Sequence, residues 1–165
     1  MPARPYWLDA NVLIEANNSF FNLDLAPSFW LWLEDQLKSG VLCSSSMVYA
    51  EILGIDDALA KWAKNRKKSS YWPEPDGDVQ STYRDIAQHV EKHYRASSPA
   101  KLGNFLAKAD CWIIAHAKAK GGTVVSRESK VDKRSLTPKV PNVCATFDVP
   151  FIETMAMLKI LKFKL

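Results

Sequence analysis

Three cysteines in 165 residues are too few, and wrongly spaced, for a disulfide framework. Cys43, Cys111 and Cys144 are odd in number and form no CxxC pair. All three lie in apolar surroundings, so they read as buried, reduced thiols of a cytoplasmic protein. No apolar run approaches the ~20 residues that a membrane-spanning helix needs. The opening "MPARPYWLD" lacks the long apolar stretch of a signal peptide. There is no internal repeat and no low-complexity tract. Neither sign of charge dominates: 22 Lys and Arg stand against 18 Asp and Glu, a formal net charge of +4. That balance permits an anionic partner without demanding one.

What remains is an ordinary globular composition. Hydrophobic residues make up 47% and charged residues 24% of the chain, which suits a single domain over residues 1–165 with one core. Six tryptophans stand at positions 7, 30, 32, 62, 72 and 112. Most are expected in the core, with one or two free to cover a partner surface. Basic residues gather in "KWAKNRKKSS" (61–70), "SRESKVDKRSLTPK" (126–139) and the final "KILKFKL". Solvated surface accounts for most such runs.

Short apolar strands alternate with helical stretches. "PYWL" (5–8), "VLCSS" (41–45), "TVVS" (123–126) and "VPFIE" (149–153) read as strands. Helices are expected over 11–20, 26–40, 47–54, 56–68, 79–97, 104–122, 141–147 and 154–163. Gly40 is placed as a C′ residue, and Ser45 or Ser46 as an N-cap. "YWPEPDGD" (71–78) is the clearest loop. This alternation predicts an α/β fold with a mostly parallel sheet buried on both faces. In such sheets ligands bind beyond the carboxyl ends of the strands.

Four acids fall at that edge or on apolar helix faces. Asp9 closes the first strand. Glu51 lies beside a Val48, Ile52, Ile55 stripe. Asp110 sits within a stripe of Leu106, Ile113, Ile114 and Ala117. Glu128 comes two residues after "TVVS". Each alone has a structural explanation: a cap, a boundary acid, a partner for Lys101 or Lys108, a loop acid. Together they imply a cation, because clustered carboxylates repel one another and resist desolvation unless neutralised. Oxygen-only ligands favour Mg²⁺ or Mn²⁺.

The pieces "LDANVLIEA", "VYAEIL", "KADCWIIAHAKAKGG" and "TVVSRES" occur in an order that resembles the PIN domain, a nuclease fold of many type II toxins. The likeness runs from Tyr6 to Ile152, and "PSFWLWLEDQLKSG" resembles a PIN-like branch. It implies a three-layer α/β/α sandwich and metal-dependent endoribonuclease activity. Asp9, Glu51 and Asp110 match the metal-binding acids, and Glu128 matches a fourth that is more often Asp. Asn11 and Ser126 match positions that support the first acid and the metal's waters. Arg127, Lys130, Lys133, Arg134 and Lys139 follow closely and are candidates for tracking an RNA backbone. The resemblance also implies a cognate antitoxin and a homodimer, for which "FWLWL" (29–33) offers an apolar surface unless Phe29, Trp32 and Leu33 are core and Trp30 is left over.

Three rivals are open at this point. A strand-end D-x-D phosphatase lacks its second acid, since the sequence reads Asp9-Ala10-Asn11. His89 and His93 in "HVEKH" have a metal-compatible i, i+4 spacing but not the H-E-x-x-H order of zinc proteases, on a polar helix. A catalytically inert PIN-like module that binds RNA or protein is the non-enzymatic alternative.

Overall fold

A computed structural model describes residues 4–19, 21–68, 70–128 and 130–165. Its described residues form four strands and nine helices. In chain order these are β1 (Tyr6–Leu8), α1 (Ala10–Asn17), α2 (Pro27–Ser39), β2 (Leu42–Cys43), α3 (Ser46–Leu53), α4 (Ala58–Lys64), α5 (Gly77–His93), α6 (Pro99–Ala107), α7 (Ala109–Lys120), β3 (Thr123–Ser126), α8 (Val140–Thr146), β4 (Phe151–Glu153) and α9 (Thr154–Ile160). Among them no helix is long and apolar enough to cross a membrane.

The sheet is parallel throughout, in the order β2-β1-β3-β4. The connection from β1 to β2 runs one way along the sheet, and that from β2 to β3 runs the other. Right-handed crossovers then put α1 and α7 on opposite faces, giving an α/β/α sandwich. The reversal of direction falls between β1 and β3. Leu8, Val124 and Val125 are completely buried, as expected for central parallel strands covered on both sides.

Local sequence explains most boundaries. Pro27 opens α2 at its first position, and Gly40 closes it in the left-handed region at φ 77°. The side chains of Ser45, Asp57, Asp76 and Ser98 each accept a backbone N–H in the first turn of α3, α4, α5 and α6 respectively.

Three expectations need correction. The single helix expected over 104–122 is two, α6 and α7. The chain breaks at Lys108, where ψ swings to 170° with neither proline nor glycine to signal it. Leu106 therefore does not share a helix with Asp110. Ile55 lies beyond the end of α3 and is 44% exposed, so the stripe beside Glu51 is only Val48 and Ile52. Trp30 is buried rather than left over. Its indole N–H donates to the Phe21 carbonyl at 2.6 Å, and its ring meets Phe29 and Trp62 edge-on. Trp32 is half-buried against Phe29 and Phe163, and Leu31 is the residue α2 turns to solvent. The aromatic segment is mainly core, which weakens it as a dimer surface. Cys111 and Cys144 are buried free thiols and Cys43 is a half-buried one.

Candidate active site

Asp9 sits where β1 hands over to α1. Its backbone is extended, and its N–H donates to the Val125 carbonyl at 3.4 Å, the last link from β1 to β3. The Ser44 hydroxyl donates to the Leu8 carbonyl at 3.3 Å from the β2 side. Asp9 is thus clamped at the carboxyl end of the central strand, beside the reversal between β1 and β3. It is only 2% exposed.

Its carboxylate accepts the Ala10 N–H at 2.7 Å, a cap at the start of α1. That bond does not satisfy the group. Burial first, then the charge of Asp110, a hydrogen bond shared with Asp110 and the charge of Glu51 all push the Asp9 carboxyl well above its usual range. The Ala10 N–H pulls the other way and is outweighed. Glu51 and Asp110 are therefore neighbours of Asp9 in space, although 42 and 101 positions separate them from it in sequence (51 − 9 and 110 − 9).

The break at Lys108 has a structural reason in Glu51. Lys108 occupies the N-cap position of α7 and offers no side-chain acceptor there. Glu51 supplies one from α3: its Oε2 accepts the Ala109 N–H at 3.1 Å. A carboxylate capping a helix start is favoured by the unpaired N–H groups and by the helix dipole. This contact fixes α3 against the first turn of α7, which carries Asp110. One Asp110 oxygen, Oδ1, is buried with no hydrogen-bond partner.

Glu128 lies one strand over. Leu8 pairs with Val125, so Asp9 and Ser126 are next in register, and Glu128 follows two residues on. Its backbone N–H donates to the Ser126 hydroxyl at 3.1 Å. Ser126 is buried, and its recorded side-chain bond is this one, not a bond to Asp9. Glu128 Oε2 is a second buried carboxylate oxygen without a partner. The largest charges acting on Asp9 are those of Asp110 and Glu51. Asn11 is half-buried in the first turn of α1. The structure thus brings Glu51 and Asp110 close enough to Asp9 to act on its carboxyl, and Glu128 follows on the adjacent strand.

Of the basic candidates, Arg127, Lys130, Lys133 and Arg134 are exposed, whereas Lys139 is half-buried and pairs with Asp132 at 3.6 Å. Asp132 and Asn142 organise this loop through bonds of 2.9 Å and 2.7 Å. Sequence reasoning missed Glu153, which closes β4 in register with Ser126 at the same edge. The signal was available, since Glu153 ends "VPFIE" as Asp9 ends "YWL".

The family model described as "Domain of unknown function (DUF4411)" matches residues 6–165. The chain belongs to this family. No curated protein matches it. The DUF4411 chain is similar in structure to FitAcB from Neisseria gonorrhoeae, with a TM-score of 0.52 and 20% identity over 89% of this chain and 96% of that one. A structure of FitAB bound to an IR36 DNA fragment gives 0.52 and 20% over 90% and 94%. VapBC2 from Rickettsia felis, bound to a DNA fragment from its promoter, gives 0.52 and 19% over 90% and 97%. At such identities the likeness is one of fold, and the architecture of this DUF4411 chain is PIN-like.

The donor set suits a hard cation. It is all oxygen, it includes two buried oxygens without partners, and its most buried member is held under electrostatic pressure by like charges. Among the described residues no three His, Cys, Asp or Glu side chains stand close enough together to hold a metal ion as they are placed. The arrangement is an open, acid-rich edge.

Proposed function

We propose that this chain is a metal-dependent endoribonuclease and the toxin of a toxin–antitoxin pair. The observation that carries the reading is Asp9: a buried carboxylate at the strand-order reversal, with Asp110 and Glu51 near enough to raise its pKa. A structural acid in that position would be matched by a basic group. None of the five ion pairs recorded among the described residues involves any of the four acids. The fold likeness to FitAcB, FitAB and VapBC2 supports the toxin part of the reading and a cognate antitoxin as partner.

In this reading Asp9 and Asp110 hold Mg²⁺ or Mn²⁺, with Glu51 and Glu128 completing the set. A bound divalent ion supplies Lewis acidity to a phosphoryl oxygen and makes water a stronger nucleophile. The protein's own part is positional. Asp9 is fixed by the end of β1 and by the Ala10 N–H. Glu51 holds the start of α7 and with it Asp110. Ser126 sets the chain direction at Glu128. Arg127, Lys130, Lys133 and Arg134 offer cations to an RNA backbone, so binding weakens as salt rises. Asn11 belongs to the same edge as a supporting residue.

Purified protein incubated with mixed RNA and Mg²⁺ or Mn²⁺ should cut it, and Asp9→Asn and Asp110→Asn should not. Cleavage that persists in both variants rules out this site. The second reading, an inert PIN-like module that binds RNA or protein, draws on the absence, among the described residues, of three such side chains close enough together to hold an ion. Calorimetric titration of folded protein with Mn²⁺ separates the two, because the inert module gives no heat.

A further inference from the structure

Beside the acid cluster lies a groove of about 320 Å³, bounded by α1, α9 and the ends of β3 and β4. Val12, Phe21 and Met155 give it apolar walls, and Glu15, Arg127 and Glu153 line it with charge. All three charged side chains are exposed. Among the described residues none of them forms an ion pair or a side-chain hydrogen bond, although they share one groove. Two acceptors and one donor are therefore uncommitted.

The register places the groove relative to the acids. Asp9, Ser126 and Glu153 follow one another across three adjacent strands at the same edge. With strands ~4.8 Å apart, Glu153 stands about 10 Å from Asp9. That is close enough for one nucleotide to reach from the acid cluster into the groove.

We propose that this groove binds a guanine base of the substrate RNA beside the phosphate that is cut. The inference rests on the nuclease reading above and names a base preference for it. Guanine presents two adjacent donors, N1–H and N2–H, which one carboxylate accepts together. It presents two acceptors, O6 and N7, on the edge that a guanidinium reads. A groove with free carboxylates and a free guanidinium matches both edges. Uracil offers a single N–H between two carbonyls, which face a carboxylate badly. Unpaired RNA bases are commonly read on these edges while their faces rest on apolar side chains.

The test compares 5′-GMP with 5′-UMP, which share the phosphate and differ in the base. With Mn²⁺ present, wild type should bind GMP about tenfold more tightly than UMP, the scale of one good bidentate contact. Glu15→Gln, Glu153→Gln and the double variant should narrow that ratio, with the double variant near unity. The residues are exposed, and an unchanged melting temperature establishes that each variant is folded. Mapping cuts in a mixed-sequence RNA should show guanine enriched beside the cut in wild type and the enrichment weakened in the variants. Equal affinity for GMP and UMP overturns the proposal, as does a preference that survives the double variant. An arginine-bearing peptide that outcompetes GMP and loses affinity in the same variants also overturns it and assigns the groove to a protein partner. A retained GMP preference without RNA cleavage supports the groove and sinks the nuclease reading instead.

Discussion

At the amino end of the sheet most polar groups find partners, His116 Nε2 being the exception; at the carboxyl end, like charges meet. Near the start of β3 the Trp7 indole N–H donates to the Gly121 carbonyl at 3.0 Å, the Thr123 N–H donates to the Pro5 carbonyl at 2.9 Å, and Lys120 pairs with Asp76. At the other end Asp9 faces Asp110 and Glu51, and oxygens of Asp110 and Glu128 are buried without partners. One end is arranged for stability. The other carries a charge excess that stability alone does not explain, and such excess is where function is sought.

The sharpest way to break the contrast is at Asp9. Asp9→Asn removes the charge that burial and two neighbouring acids oppose, and keeps an acceptor for the Ala10 N–H. Cleavage should fall about a hundredfold or more, the scale seen when a principal electrostatic group is lost. The melting temperature should rise by a few degrees at neutral pH. Mn²⁺ should raise the melting temperature of wild type and leave the variant unmoved, because only a group that binds the ion gains by linkage. Thermal unfolding with and without Mn²⁺ measures both. An Asp9→Asn variant that is less stable than wild type would mean the carboxylate is a structural cap.

The amino end breaks differently. Gly122 has φ 133°, and a methyl group there would lie 2.5 Å from the Pro5 carbonyl oxygen and 2.7 Å from the Trp7 indole nitrogen. Gly122→Ala should cost roughly 2–4 kcal/mol, since both backbone strain and overpacking are involved. Urea unfolding checks this. Cleavage per folded molecule should stay near wild type, so a large loss of it would blur the division between the two ends.

Buried ionisable groups at the two ends should respond to pH with opposite sign. His116 stacks on Trp7 at 5.0 Å, and burial pulls its pKa from 6.5 to about 4. Between those values the unfolded chain binds the proton and the folded chain does not. Its contribution is present above pH 6.5 and is lost as the pH falls through 4, by roughly 3 kcal/mol. Asp9 has a raised pKa, so its contribution is present at low pH and is lost as the pH rises through the folded value. Denaturant curves across this range, run on wild type and Asp9→Asn, separate the terms. The variant should show the fall on acidification more steeply than wild type.

Much of both ends is legible in the sequence, and the gaps share a cause. Asp9 at a strand end, the Ser45 cap and the Gly40 stop are local signals, each readable within a few residues. The break before α7 has no local signal, because the acceptor that permits it is Glu51, 58 positions away. The burial of Trp30 has no local signal for the same reason. It depends on Phe21 and Trp62 arriving from other elements. The convergence of Glu51 and Asp110 on Asp9 was legible in the placing of acids at one sheet edge and on apolar helix faces, and in the order of the motifs, but not in any single stretch.

Glu51 offers a smaller and more discriminating test, because it serves both ends of the argument. Glu51→Gln keeps an oxygen for the Ala109 N–H and removes the charge; Glu51→Ala removes both. Metal affinity measured by calorimetry should fall in each. Stability should fall only in Glu51→Ala, by about 1 kcal/mol, the usual worth of a helix cap. A Glu51→Gln variant as unstable as Glu51→Ala would show that the charge itself holds α7, through the helix dipole, and would move Glu51 from the site to the scaffold.

The smallest effect is expected at Lys120. It pairs with Asp76 and lies 3.9 Å from Asp78, yet all three side chains are well exposed. Its raised pKa and the lowered one of Asp76 reflect mainly their mutual hydrogen bond. Solvent and salt screen such a pair, and holding two side chains in place offsets much of the gain. Lys120→Ala should shift the melting temperature by less than about a degree. Asp76 keeps its bond to the Val79 N–H at 3.1 Å, so α5 retains its cap. A shift of several degrees would mean that the amino end depends on its ion pair and not on the packing around Trp7 and Gly122, and the contrast between the two ends would have to be drawn in charge alone.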